Sequence, residues 1–281
     1  MKKFLLFAAF FPLPIHAALV EMWHFNDAPL GAVSSGTTSV GVNGGIATIK
    51  GAGVSSVSTG SAGNRGIDLP GGSSATQGYI DLPNGIISSL TDATFEAWLT
   101  IDSNQNWQRV FDFGTNSNGE QTGVGGAGVG SDVTMLAANR ALSANTQRMQ
   151  ALDGGVDMGA NDSSVTLSLG VKHHFSLVWD NLGPGSSQQR WYLDGSLVAS
   201  QTTGLNMSLG NITDVNNWLG RSNWAADSNT DGTYDQFAIY NTAFTPAEVA
   251  ASFAAGPVPE PTISVMLGSA FLALIARRRR D

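Results

Sequence analysis

Residues 93–101 read ATFEAWLTI, so Phe95, Ala97, Leu99 and Ile101 alternate with Glu96, Trp98 and Thr100. That period of two puts the first set on one face of a strand and the second set on the other. RVFDFG, HHFSLVWD, QRWYLDGSLV and YDQFAIYN have the same character. Asp194-Gly195 separates RWYL from SLVAS, a two-residue hairpin signal. Short strands at this spacing predict an all-β sandwich or jelly roll. Only TPAEVAASFAA reads as helix, with Thr245 as N-cap, Pro246 as first helical residue and Glu248 closing a capping box. The Gly/Ala-rich stretch from Gly123 to Val156 fits the strand pattern least and is expected to form a variable rim segment.

The two ends break the pattern. MKKFLLFAAFFPLPIHA places two lysines before an apolar run from Phe4 to Ile15, then small residues. This predicts a secretory signal peptide over 1–17, cleaved after Ala17. At the other end Pro257, Pro259 and Pro261 precede the apolar stretch Thr262 to Ala276 and the arginines Arg277, Arg278, Arg279 and Arg280. A helix over that stretch would span roughly 22 Å, short for a hydrocarbon core of about 30 Å, with arginines that snorkel to extend its reach. Basic residues after an apolar helix stay cytoplasmic, which puts the body outside. The expected organisation is a signal peptide at 1–17, one β domain at 18–255 and a short stop-transfer tail at 256–281.

Composition sharpens this. The chain has 281 residues, 34 glycines, 13% charged residues and net charge −8, but the ends carry 6 of its 14 basic residues. Between Ala18 and Gly256 stand 8 basic and 20 acidic residues, net −12. Such a body repels nucleic acid phosphates and attracts cations such as calcium. Without cysteine, disulfides, thiolate metal sites and a cysteine nucleophile are excluded.

Pro259-Glu260-Pro261, one apolar helix and a terminal basic cluster, in that order, resemble a PEP-CTERM sorting signal. The resemblance implies export by a Gram-negative bacterium that makes exopolysaccharide, transient inner-membrane anchoring, and an exosortase-type processing enzyme as partner. Across the body, ALVEMWHFND, GIDLPGG, GYIDLP, ATFEAWLTI, RVFDFG, HHFSLVWD, RWYLDGSLV, WLGRS and DGTYDQFAIYNTAFTPAEV follow one another. That order resembles the laminin G-like, concanavalin A-like jelly roll, which implies a two-sheet antiparallel jelly-roll sandwich. Glucan-cleaving relatives on this sandwich carry their acids close together on one strand, whereas Glu96 stands alone here, with Trp98 and Thr100 where further acids would be needed. The expectation is a non-enzymatic surface or matrix protein that binds glycan or exopolysaccharide. A structural or adhesion protein is the alternative, and a glycan hydrolase or lyase ranks below both.

Three groups of residues carry candidate chemistry. Trp23, Trp98, Trp179 and Trp191 lie in strand patterns and are expected to pack, whereas Trp107, Trp218 and Trp224 sit nearer turns and are the candidate sugar-stacking residues. His173 and His174 point to opposite faces, one packed and one at the surface, and do not share an ion. DSNTDGTYD sets Asp227, Asn229 and Asp231 at calcium-loop spacing, with Gly232 and Asp235 following. Ala238 stands where an EF-hand needs Glu, which rejects that motif. A polar turn entering the last strand and a structural calcium loop both remain open. The resemblance adds a second candidate calcium site where first and last strands meet, formed by Asp235 with Asn26 and Asp27.

Overall fold

The structure, a computed structural model, describes residues 18–258 apart from 61–63, 127, 185 and 203–206. The expected signal peptide, Pro259, Glu260, Pro261 and the four terminal arginines lie outside the described residues. Among the described residues no helix is long and apolar enough to cross a membrane.

The strands follow in the order β1 (Leu19–Trp23), β2 (Gly31–Ala32), β3 (Thr38–Val40), β4 (Ile46–Lys50), β5 (Ser55–Ser58), β6 (Arg65–Ser73), β7 (Tyr79–Leu82), β8 (Ala93–Ile101) and β9 (Arg109–Asn116). Then come β10 (Gly130–Ala137), β11 (Gln147–Asp153), β12 (Val156–Ser163), β13 (Lys172–Asn181), β14 (Ser187–Leu193), β15 (Ser196–Thr202), β16 (Asn216–Leu219) and β17 (Ser228–Tyr240), before helix α1 (Pro246–Ala255). They form two antiparallel sheets. One has nine strands in the order β15-β14-β13-β8-β17-β6-β5-β2, with β1 also paired to β17, and the other runs β12-β11-β10-β9-β16-β7-β4-β3. Phe95, Ala97, Leu99 and Ile101 of β8 face Phe111 and Phe113 of β9 across one continuous core. The sandwich expected from the alternation is therefore present, with Trp23, Trp179 and Trp191 in its core and Trp98 buried on the opposite face of β8 under α1.

Two local predictions hold in detail. Asp194 and Gly195 have φ of 49° and 75°, so both residues linking β14 to β15 adopt the positive φ that a tight hairpin turn needs. Helix α1 starts at Thr245, whose side chain accepts from the Glu248 amide while Glu248 caps the Thr245 amide.

Three expectations are corrected. The Gly123–Val156 stretch contains β10 and β11, whose small residues, such as Gly130 beneath the Trp224 ring, let a neighbour approach closely. His173 and His174 do point to opposite faces, but both are buried, because α1 lays Phe253 over the Trp98–His174 face and Asp194 holds the His173 ring. DSNTDGTYD is strand rather than turn from Ser228 onward, paired through β6 and then β8. Gly232 has no positive φ; a Cβ there would stand 2.1 Å from the Thr100 carbonyl oxygen, so close strand approach is what requires glycine.

Candidate functional site

The outer face of the eight-stranded sheet is polar and folded upon itself. In β11, Met149 and Ala151 enter the core, so Arg148 and Gln150 between them face outward. In β9 the same alternation turns Asp112 outward between Phe111 and Phe113, opposite Trp218 of β16. Asp112 is fully buried nonetheless, because the loop after β16 lies over it. Asn223 of that loop donates to both Asp112 oxygens, from its backbone amide at 3.1 Å and its side chain at 2.9 Å.

Arg109 opens β9 and fixes the site. Its Nε donates to Asp112 at 3.1 Å, one Nη to the Trp107 carbonyl at 2.6 Å and the other to Asp227 at 2.8 Å. The guanidinium lies 5.5 Å from the ring centroids of both Trp107 and Trp224, a cation–π distance to each. Trp107 has φ of 58°, a costly conformation for a bulky residue, and the loop is held there by Arg109. Asp227 also accepts from Ser222 at 2.7 Å. Burial pushes the Asp227 and Asp112 carboxyls above the usual range, against the pull of Arg109.

Between the two half-buried indoles opens a cavity of about 330 Å³ lined by Trp107, Arg109, Arg148, Gln150, Trp224 and Asp227. Arg148 is held by Asp162, Nε to one oxygen at 2.6 Å and Nη2 to the other at 3.0 Å. Arg140 also pairs with Asp162, and the guanidinium groups of Arg140 and Arg148 stand 5.5 and 5.4 Å from the Trp107 ring. Gln150 is turned by a hydrogen bond to Asp157. Two flat apolar surfaces with convergent polar groups are what a small polar ligand with apolar faces needs.

The other half of this face is closed. The segment 117–126 crosses it, pinned by Lys50 Nζ and the Tyr79 hydroxyl to the carbonyls of Thr122 and Gly123, each at 3.1 Å. Arg221 reaches the Gly123 and Gly125 carbonyls and lies 4.2 Å from the Trp218 centroid and 4.5 Å from that of Tyr79. Under it, burial raises the Asp81 carboxyl to about 6, opposed chiefly by Lys50 at 3.8 Å.

The structure thus brings Trp107 and Trp224 to one cavity and separates Trp218 from them. Trp218 lies within a strand, fully buried beneath Arg221, so no ligand reaches it. Sequence reasoning missed Arg109, Arg140, Arg148 and Gln150. Alternation in RMQALD was the available signal, hidden by reading that stretch as a rim segment.

The calcium candidates do not come together. Asp227 is taken by Arg109 and Ser222, the Asn229 amide donates to the Gln77 and Gly78 carbonyls, and Asp231 accepts from Ser103. Asn26 and Asp235 do share a water-sized hollow of about 10 Å³, and the Asp235 Oδ1 is buried without a hydrogen bond. Lys172 pairs with the other Asp235 oxygen, however, and Arg65 lines the same hollow and donates to the Asn26 carbonyl. Asp27 turns away to accept from the Val40 amide. Two cations beside one free carboxylate oxygen do not fit a calcium ion. Among the described residues no three His, Cys, Asp or Glu side chains converge as metal ligands.

The family description for the concanavalin A-like lectin/glucanases superfamily matches residues 73–250. The chain belongs to that family. Among curated proteins none matches. Domain 4 of the extracellular arabinanase AbnA of Geobacillus stearothermophilus, solved with arabinotriose, is similar at 16% identity and TM-score 0.57, over 83% of this chain and 97% of that one. The CBM40 of a Ruminococcus gnavus sialidase, solved with α2,3 sialyllactose, is similar at 17% identity and TM-score 0.52, over 66% and 95%. A mutant of Trypanosoma rangeli sialidase displaying trans-sialidase activity is similar at 18% identity and TM-score 0.52, over 83% of this chain but 32% of that one. At these identities the likeness establishes the jelly-roll fold.

Proposed function

We propose that the protein is an exported, non-enzymatic glycan-binding protein whose site is the Trp107–Trp224 cavity. The observation that carries this reading is the pair of half-buried indoles bracketing Arg109, with Arg148 and Gln150 supplying hydrogen-bond donors between them. A sugar ring offers an apolar C–H face to an indole and a hydroxyl rim to polar side chains. The solved domains of this fold with arabinotriose and sialyllactose add support. Asp227 is the one carboxylate among the described lining residues and already faces Arg109, whereas glycoside hydrolysis ordinarily uses a pair of carboxylates. Export rests on the N-terminal segment, and surface sorting through the membrane by an exosortase-type enzyme rests on the terminal Pro-Glu-Pro, apolar and arginine segments. Recognition proceeds without calcium in this reading. A glycan array probed with the purified protein tests it: signal on a defined set of glycans, lost in Trp107→Ala, is the expected result. A flat array from folded protein removes glycan binding and leaves the structural or adhesion role.

A further inference from the structure

We propose that the Trp107–Trp224 cavity selects a sugar bearing a carboxylate, such as a uronic acid unit of an acidic polysaccharide, with Arg140 and Arg148 as its anion-recognising edge. This rests on the glycan-binding reading and narrows it to a ligand class. Charge placement is the first support. The body carries net −12 and six arginines, yet the guanidinium groups of Arg109, Arg140 and Arg148 all stand within 5.5 Å of the one Trp107 ring. Half of the body's arginines thus converge on one indole at the cavity.

Donor supply is the second. Arg109 is matched by two carboxylates, Asp112 and Asp227. Arg140 and Arg148 share Asp162, with Asp157 also beside Arg148, so the cavity edge offers unused guanidinium donors rather than a surplus of positive charge. Geometry is the third. The Arg148 fork already holds a carboxylate through two nitrogens, which is how guanidinium recognises that group. Among the described residues its Nη1 donates to none, and Arg140 engages only through one Nη. A ligand carboxylate can take these remaining donors while its ring lies against Trp107. The cavity volume of about 330 Å³ is at the small end for a ligand site, suited to one end or one unit of a chain.

The test is calorimetric titration of the purified protein with oligogalacturonate and alginate oligomers, each beside its carboxyl-reduced, neutral counterpart. The acid form is expected to bind about tenfold tighter, as one charge-assisted hydrogen bond supplies, with the preference shrinking as salt rises. Arg148→Gln is expected to bring the two forms near parity with the unfolding midpoint kept. Asp162→Asn is expected to tighten the acid form, because it removes the internal carboxylate that competes for the fork. A merely bracing role for the Arg148–Asp162 pair predicts weaker binding of both forms instead, and that result overturns the proposal. Equal affinity for both forms, or an array response confined to neutral glycans, also overturns it while leaving glycan binding intact. Silence on every glycan, acidic and neutral, removes the glycan-binding reading itself.

Discussion

Replacing Asp81 by asparagine should stabilise the protein at neutral pH. Asp81 stands on the outer face of β7 beside Trp218, with its side chain 20% exposed, under the segment pinned by Arg221 and Lys50. Burial raises its pKa from 3.8 to about 6, with Lys50 offsetting only part of the cost. The folded-state pKa lies above the unfolded one, so the native state binds the proton more tightly. The cost of an ionised Asp81 is therefore absent below about pH 4, grows as pH climbs toward 6 and is constant above. A shift of about two units corresponds to about 3 kcal/mol as a ceiling. For a domain of this size that is a rise of roughly 6–12 °C in Tm. Asparagine keeps the shape and removes the charge, and the half-exposed Lys50 loses only a weak pair. Urea unfolding of wild type and Asp81→Asn at pH 4 and pH 7.5 is the assay. The gain should appear at pH 7.5 and shrink toward zero at pH 4. A variant destabilised at both pH values, or stabilised equally at both, would refute the burial argument.

Further outcomes follow from the same geometry. Gly232→Ala should lower the urea midpoint by the equivalent of about 1–3 kcal/mol with the slope unchanged, since the new Cβ meets the Thr100 carbonyl at 2.1 Å. Thr245→Ala removes the α1 cap and should cost about 1 kcal/mol in the same assay. Thermal unfolding in EDTA and in millimolar calcium should give one midpoint, because Lys172 and Arg65 stand at the Asp235–Asn26 hollow; a midpoint rising with calcium would show that the native state binds it.

The sandwich was legible because β8 and β13 write their burial into their sequence: every second residue of ATFEAWLTI enters the core. The α1 cap and the Asp194-Gly195 turn were legible for a similar reason, since each depends on residues adjacent in the chain. The site was only half legible. Trp107 and Trp224 stand out by type, but Arg109 joins them across 118 residues to Asp227, and no local pattern announces that pairing. Trp218 was misread because its cover, Arg221, comes from the loop just beyond it and folds back. DSNTDGTYD misled because Asp, Asn and Gly form turns and calcium loops from the same vocabulary. Here Gly232 serves a close strand crossing, and the acids meet Arg109, Ser103 and Lys172 contributed by other elements.

The central claim is that two indoles and an arginine edge make one glycan site. Its most direct test is titration of an array-identified glycan into wild type, Trp107→Ala, Trp224→Ala and, as a distant control, Leu30→Ala, an exposed apolar residue outside the cavity lining. The account predicts at least about tenfold weaker binding in both indole variants, as loss of a stacked aromatic face brings, with the control at wild-type affinity. Wild-type affinity in both indole variants would contradict it and place any glycan elsewhere on the sandwich.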